Sequence, residues 1–82
     1  MFYVYILRSL KSKKYYVGST QDVANRLREH NAGETRSIKH GIPWVLIHQE
    51  SFTTRAEARE QEDKIKARGI ARYLQALNIP LG

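Results

Sequence analysis

The chain has 82 residues, fourteen Lys and Arg against eight Asp and Glu, a formal charge of +6 and no Cys. A chain of this length buries only about 60–65% of its unfolded surface, so one domain spanning residues 1–82 is expected, with no room for a second. The lack of cysteine excludes a disulfide framework, a thiolate zinc site and a Cys nucleophile, and leaves apolar packing to hold the fold.

The longest apolar run, Phe2 to Leu7, is far short of the ~20 residues of a membrane span. It also lacks the charged lead and cleavage site of a signal peptide, so the expected location is the cytoplasm. The basic surplus points to a polyanionic partner, nucleic acid before membrane. Eight Lys and Arg face three acids between Met1 and His48, whereas the remainder is nearly balanced. Lys11, Lys13, Lys14, Arg26, Arg36 and Lys39 are therefore the candidate phosphate contacts.

Taken in order, Phe2-Tyr3-Val4-Tyr5-Ile6-Leu7 and Lys14-Tyr15-Tyr16-Val17-Gly18 are β-branched and aromatic runs joined by a short Lys/Ser turn, which reads as an antiparallel hairpin. Thr20 or Asp22 caps a helix over about Asp22 to Asn31, stopped by Asn31-Ala32-Gly33. Glu34 to Ile42 lacks periodicity and reads as a loop. Pro43 then opens a third strand, Trp44 to His48, expected to be buried on both faces. A capping box at Thr54-Arg55-Ala56-Glu57 starts a helix ending near Gly69. Ile70, Tyr73, Leu74 and Leu77 then define a last helix that stops before Pro80. The expected fold is α+β, a small three-stranded antiparallel sheet packed with helices in the order β-β-α-β-α-α.

Helical geometry singles out three polar residues. With Val23 at zero and 100° per residue, Leu27 falls at about 40°, His30 at about 340° and Arg26 at about 300°, while Arg28 and Glu29 turn to solvent. Arg26 at this seam either snorkels over the sheet or presents its planar fork to a phosphate. His30 is either a hydrogen-bonded, semi-buried histidine or a group that exchanges protons with a reacting oxygen. On the next helix Glu62 lies beside the inward-facing Ala58 and Ile65, so its carboxylate needs a partner: Lys66 at i+4, or a metal. Tyr3 and Tyr5 share one strand face, with Tyr16 on the facing strand, placed for packing or for base stacking. His40 and His48 stand alone and read as structural.

The ordered set Tyr3-Val4-Tyr5, Tyr16-Val17-Gly18-Ser19-Thr20, Arg26, His30 and Glu62 resembles the GIY-YIG nuclease superfamily over Phe2 to about Leu77, most closely its small standalone bacterial members. Thr35-Arg36, Pro43 and the stretch Ala58 to Lys66 are similar to that subgroup as well. Two positions depart from the pattern. Tyr3 stands where the first motif has glycine, and Ser19 where some repair nucleases have lysine.

The resemblance implies a metal-dependent endonuclease acting on nucleic acid, DNA before RNA, in repair or recombination. Tyr5, Tyr16, Arg26, His30 and Glu62 would be catalytic. Glu62 would hold a single Mg²⁺ or Mn²⁺ completed by substrate phosphate, and Arg26 would neutralise phosphoryl charge. Tyr5 is the expected base, assisted by Tyr16 or His30. Larger relatives attach DNA-recognition domains, so the expectation here is recognition of shape or branching, or a partner protein or homodimer that supplies targeting. The alternative is a nucleic-acid-binding module whose catalytic set is vestigial or partner-dependent.

Overall fold

A computed structural model describes residues 1–79. The first apolar run forms β1 (Phe2–Ser9), which pairs antiparallel with β2 (Tyr15–Thr20). On its other side β1 pairs antiparallel with β3 (Trp44–Phe52), giving the sheet order β2-β1-β3. The helices are α1 (Val23–Asn31), α2 (Arg55–Arg68) and α3 (Ile70–Ala76). The α+β class, the antiparallel sheet and the order β-β-α-β-α-α follow the sequence, with one added 3-10 segment, Arg36–Gly41, before β3. Among these residues no helix is long and apolar enough to cross a membrane. Pro80, the expected stop of the last helix, lies outside the described residues.

The sheet is a middle layer. Val4, Ile6 and Val17 pack with Ala58, Ile65 and Leu74 of α2 and α3 on one face. Tyr5, Leu7, Val23, Ile38 and Trp44 pack on the other, beneath α1 and the 3-10 segment. β1 therefore needs apolar side chains on both faces, and the unbroken run Val4 to Leu7 supplies them. Each fully buried aliphatic of this kind contributes about 1.5–3 kcal/mol.

Two expectations are corrected. β3 is not buried on both faces. It is an edge strand, with Leu46 38% exposed, because the central place went to β1. Glu34 to Ile42 is not wholly a loop, because Ile38 turns inward beneath Trp44 and the Trp44 indole donates to the Ile38 carbonyl at 2.9 Å, holding one short helical segment.

A bulge reorients the second half of β3. Leu46 lies opposite Leu7 and His48 opposite Ile6, so Ile47 is an extra residue. It turns His48 and Glu50 to the α2 and α3 face, away from the alternation that Trp44 and Leu46 began.

Local signals fix the helix starts. The Asp22 carboxylate accepts from the Asn25 amide at 3.0 Å, so Asp22 rather than Thr20 caps α1. Thr54 and Glu57 form the reciprocal box at the start of α2, a type of cap worth about 1 kcal/mol.

Candidate active site

Tyr5 sits at the middle of β1 opposite Gly18 and is only 1% exposed. Its ring lies across β2 over Gly18. A Cβ there would come within 2.6 Å of the Tyr5 hydroxyl and 2.8 Å of Cζ. The glycine of Tyr16-Val17-Gly18 thus makes room for the tyrosine of the neighbouring strand.

The Tyr5 hydroxyl is bonded to His30 Nε2 at 2.9 Å, and His30 Nδ1 to the Thr35 hydroxyl at 2.8 Å. His30 is fully buried, deeper than the seam position that the helical wheel gave it. Burial and the neighbouring Arg26 hold its pKa below the ordinary histidine value, with Glu29 opposing. A neutral ring donates at one nitrogen and accepts at the other, so Tyr5, His30 and Thr35 form a chain in which protons run in one of two senses. Tyr16 closes the group, its ring 5.2 Å from that of His30 and 6.2 Å from that of Tyr5.

Arg26 is half-buried at the rim, its side chain 41% exposed, and donates to Glu29 at 3.1 Å. Its charge is reinforced first by the Tyr5 hydroxyl and then by Glu29. For the Tyr5 phenol, burial pushes the pKa up, Tyr16 adds to this, and Arg26 opposes both. Glu29 is therefore not the solvent residue that the wheel suggested. It leans back across one turn to Arg26 and is also held by the Asn25 amide at 3.1 Å.

Glu62 belongs to α2, which packs on the opposite face of the sheet. Its side chain is only 14% exposed and pairs with Lys66 at 2.7 Å. Both readings of its position apply, the inward stripe and the i+4 partner. The Glu62 carboxylate, hydrogen-bonded to the Lys66 ammonium, is the main cause that holds the Lys66 pKa above the ordinary lysine value.

The structure thus brings Tyr5, Tyr16, His30 and Arg26 together on one side of the sheet and places Glu62 on α2, which packs on the other. Lys11, Lys13 and Lys14 are exposed at the hairpin turn, and Arg36 and Lys39 on the 3-10 segment. Thr35 and Glu29 were missed as partners. Thr35 sits in a segment read as loop, and the signal that was available was its place five residues beyond His30, just past the helix stop.

One half-buried carboxylate fits a hard, magnesium-type ion that keeps most of its waters and shares a phosphate oxygen. Among the described residues no group of three or more His, Cys, Asp or Glu is gathered as a ready-made cage.

Comparison with known proteins decides the family. The model of the GIY-YIG catalytic domain matches residues 1–73. The chain belongs to the GIY-YIG family. That domain implies nuclease activity in general terms. This GIY-YIG chain is 44% identical over 66 residues to a UPF0213 protein of Haloquadratum walsbyi, covering 79% of this chain and 73% of the relative. A UPF0213 protein of Halobacterium salinarum is 40% identical over 67 residues, 80% of this chain and 86% of that protein. One from Staphylococcus haemolyticus is 40% identical over 65 residues, 78% of each chain. No solved structure matches significantly.

His48, read as structural, is tied into the packing of the helices. It bonds Glu50 at 2.7 Å, and Glu50 also accepts from Gln61 at 3.1 Å and from the Tyr73 hydroxyl. Burial would raise the Glu50 pKa, but the bonds from Tyr73, His48 and Gln61 outweigh it and hold the carboxyl low. Tyr73 is pushed up to about 12 by burial and by Glu50. This clasp joins β3, α2 and α3 on the face away from Tyr5.

Proposed function

We propose that the protein is a metal-dependent endonuclease hydrolysing phosphodiester bonds at the edge of β2, acting as one catalytic domain in the cytoplasm, on DNA before RNA, with branched or otherwise distorted DNA of the kind met in repair as the preferred substrate. The observation that carries this reading is the contact of Tyr5, Tyr16, His30 and Arg26 beside an open rim, with Glu62 on α2 at the other side of the sheet.

Arg26 binds a non-bridging phosphate oxygen through its exposed guanidinium edge and neutralises charge as it develops. Tyr5 is buried, its phenol hard to ionise, and its hydroxyl committed to His30. Its part is to hold His30 and Arg26 in register. Tyr16 is less buried than Tyr5 and lies nearer the open rim, and it takes the proton of an attacking water. Neutral His30, steadied by Thr35, completes a path for that proton. Glu62, released from Lys66, would hold Mg²⁺ or Mn²⁺, and the bound ion supplies Lewis-acid polarisation of the phosphate.

The second reading is a binding module with a silent or partner-dependent site. It draws on the two internal ion pairs, Arg26 with Glu29 and Glu62 with Lys66, which already neutralise the groups that catalysis needs. A panel of single-stranded, duplex and branched DNA and RNA, incubated with Mg²⁺ or Mn²⁺, separates the two. The nuclease reading expects cleavage that Arg26→Ala and Glu62→Gln abolish. Salt-sensitive binding without turnover supports the module, and cleavage that survives both substitutions overturns the assignment.

A further inference from the structure

An open cleft of about 380 Å³ adjoins Arg26, lined in part by Ser19, Thr20, Asn25, Arg26 and Arg55. The two acids in its wall are engaged: Asp22 caps α1 and Glu29 holds Arg26 and Asn25. Arg55 is different. Its guanidinium lies over the Phe2 ring, 5.2 Å from the centroid, and among the described residues it has no carboxylate partner. A cation held in place by an aromatic face and left without a counter-ion is ready for an external anion.

Helical spacing extends the feature. With Arg55 at zero, Arg59 falls at about 40°, Glu62 at about 340° and Lys66 at about 20°, one narrow stripe on α2, with Ala58 and Ile65 beside it turned into the core. The acids Glu57, Glu60 and Asp63 lie outside that stripe. One end of the stripe therefore opens on the cleft with Arg26, and the other carries the Glu62–Lys66 pair.

The geometry points to a phosphate-backbone track along α2, in which Arg55 binds a phosphate of the nucleic-acid strand away from the bond being cut. This rests on the nuclease reading, and it moves the main contact surface from the hairpin lysines to the β2 edge. Arg55 and Glu62 are about 10.5 Å apart along the helix axis at 1.5 Å per residue. That matches the rise of about three nucleotides of a B-form strand at 3.4 Å each. The guanidinium reads no base, so the track selects a backbone path and not a sequence.

The experiment is fluorescence anisotropy of a labelled DNA oligonucleotide, single-stranded and duplex, in metal-free buffer over a series of salt concentrations. Arg55→Gln should weaken binding about tenfold and flatten the slope of log K against log salt by about 0.7–0.9. Lys64→Gln removes an equal charge from the far side of α2, where Lys64 pairs with Glu60, and should change little. A walk of single neutral methylphosphonate linkages along the strand should find one position that weakens the wild type and not Arg55→Gln. Thermal melts confirm that both variants fold. Equal binding and slope for the two variants would overturn the track while leaving the nuclease reading intact. A wild type that binds no nucleic acid would remove both.

Discussion

Gly18 is the position where fold and chemistry meet most tightly, and Gly18→Ala puts a number on it. The added Cβ would stand 2.6 Å from the Tyr5 hydroxyl, 2.8 Å from its Cζ and 3.1 Å from Cε2 of Tyr16. Ordinary carbon contacts are about 3.5–4.0 Å, so the Tyr5 ring must retreat by roughly 1 Å. Tyr5 is boxed in by the core and cannot swing into solvent. Overpacking of this kind costs about 1–3 kcal/mol, and for a domain of this size each kcal/mol lowers Tm by about 4–8 °C. The same retreat stretches the 2.9 Å bond to His30, and a misplacement near 1 Å lowers cleavage by about 10²-fold. Thermal unfolding and single-turnover cleavage read the two effects. Tyr5→Phe removes the closer of the two Tyr5 contacts, so Gly18→Ala in that background should cost less than the sum of the separate changes. A wild-type Tm for Gly18→Ala, or strict additivity with Tyr5→Phe, would refute the packing argument.

The same geometry sets other outcomes. Thr35→Val strips His30 Nδ1 of its partner and should cost about 1–3 kcal/mol and slow cleavage roughly tenfold at unchanged DNA affinity. Thr35→Ser should restore the rate, and a drop in affinity instead would contradict a positioning role. His30 has its folded pKa below the unfolded value of 6.5, so the unfolded chain binds the proton more tightly. Its contribution to stability is present above about pH 6.5 and lost as pH falls below it. Urea midpoints across this range should fall toward acid in the wild type and less in His30→Gln, and parallel profiles would exclude His30 as the source. Glu50→Ala leaves His48, Gln61 and Tyr73 without their shared acceptor and should destabilise by about 1–3 kcal/mol without altering DNA binding. Loss of binding at unchanged Tm would show that the clasp is part of the substrate surface.

The helical wheels placed His30 and Glu62 toward the sheet layers and Arg26 at their rim, as the structure does, because position on a helix follows from spacing alone. Capping residues were readable for the same local reason. Sheet order was not. Two continuous apolar runs, Phe2 to Leu7 and Trp44 to Ile47, look alike in sequence, and only the packing shows that β1 is central and β3 lies at the edge. The bulge at Ile47 was also hidden, since one extra residue leaves the composition of the strand unchanged yet moves His48 and Glu50 to the other face. Glu29 and Thr35 became visible as partners only once Arg26 and His30 had places in space.

Cleavage under single-turnover conditions, with branched DNA in excess Mg²⁺ and each variant assayed at a concentration that saturates the substrate, reads the proposed chemistry apart from binding. Wild-type protein should cut, Tyr16→Phe and Glu62→Gln should lose about 10²-fold or more in the rate constant with affinity retained, and Lys64→Gln should match the wild type. Equal rate constants for wild type, Tyr16→Phe and Glu62→Gln would contradict a phosphodiesterase site at the edge of β2.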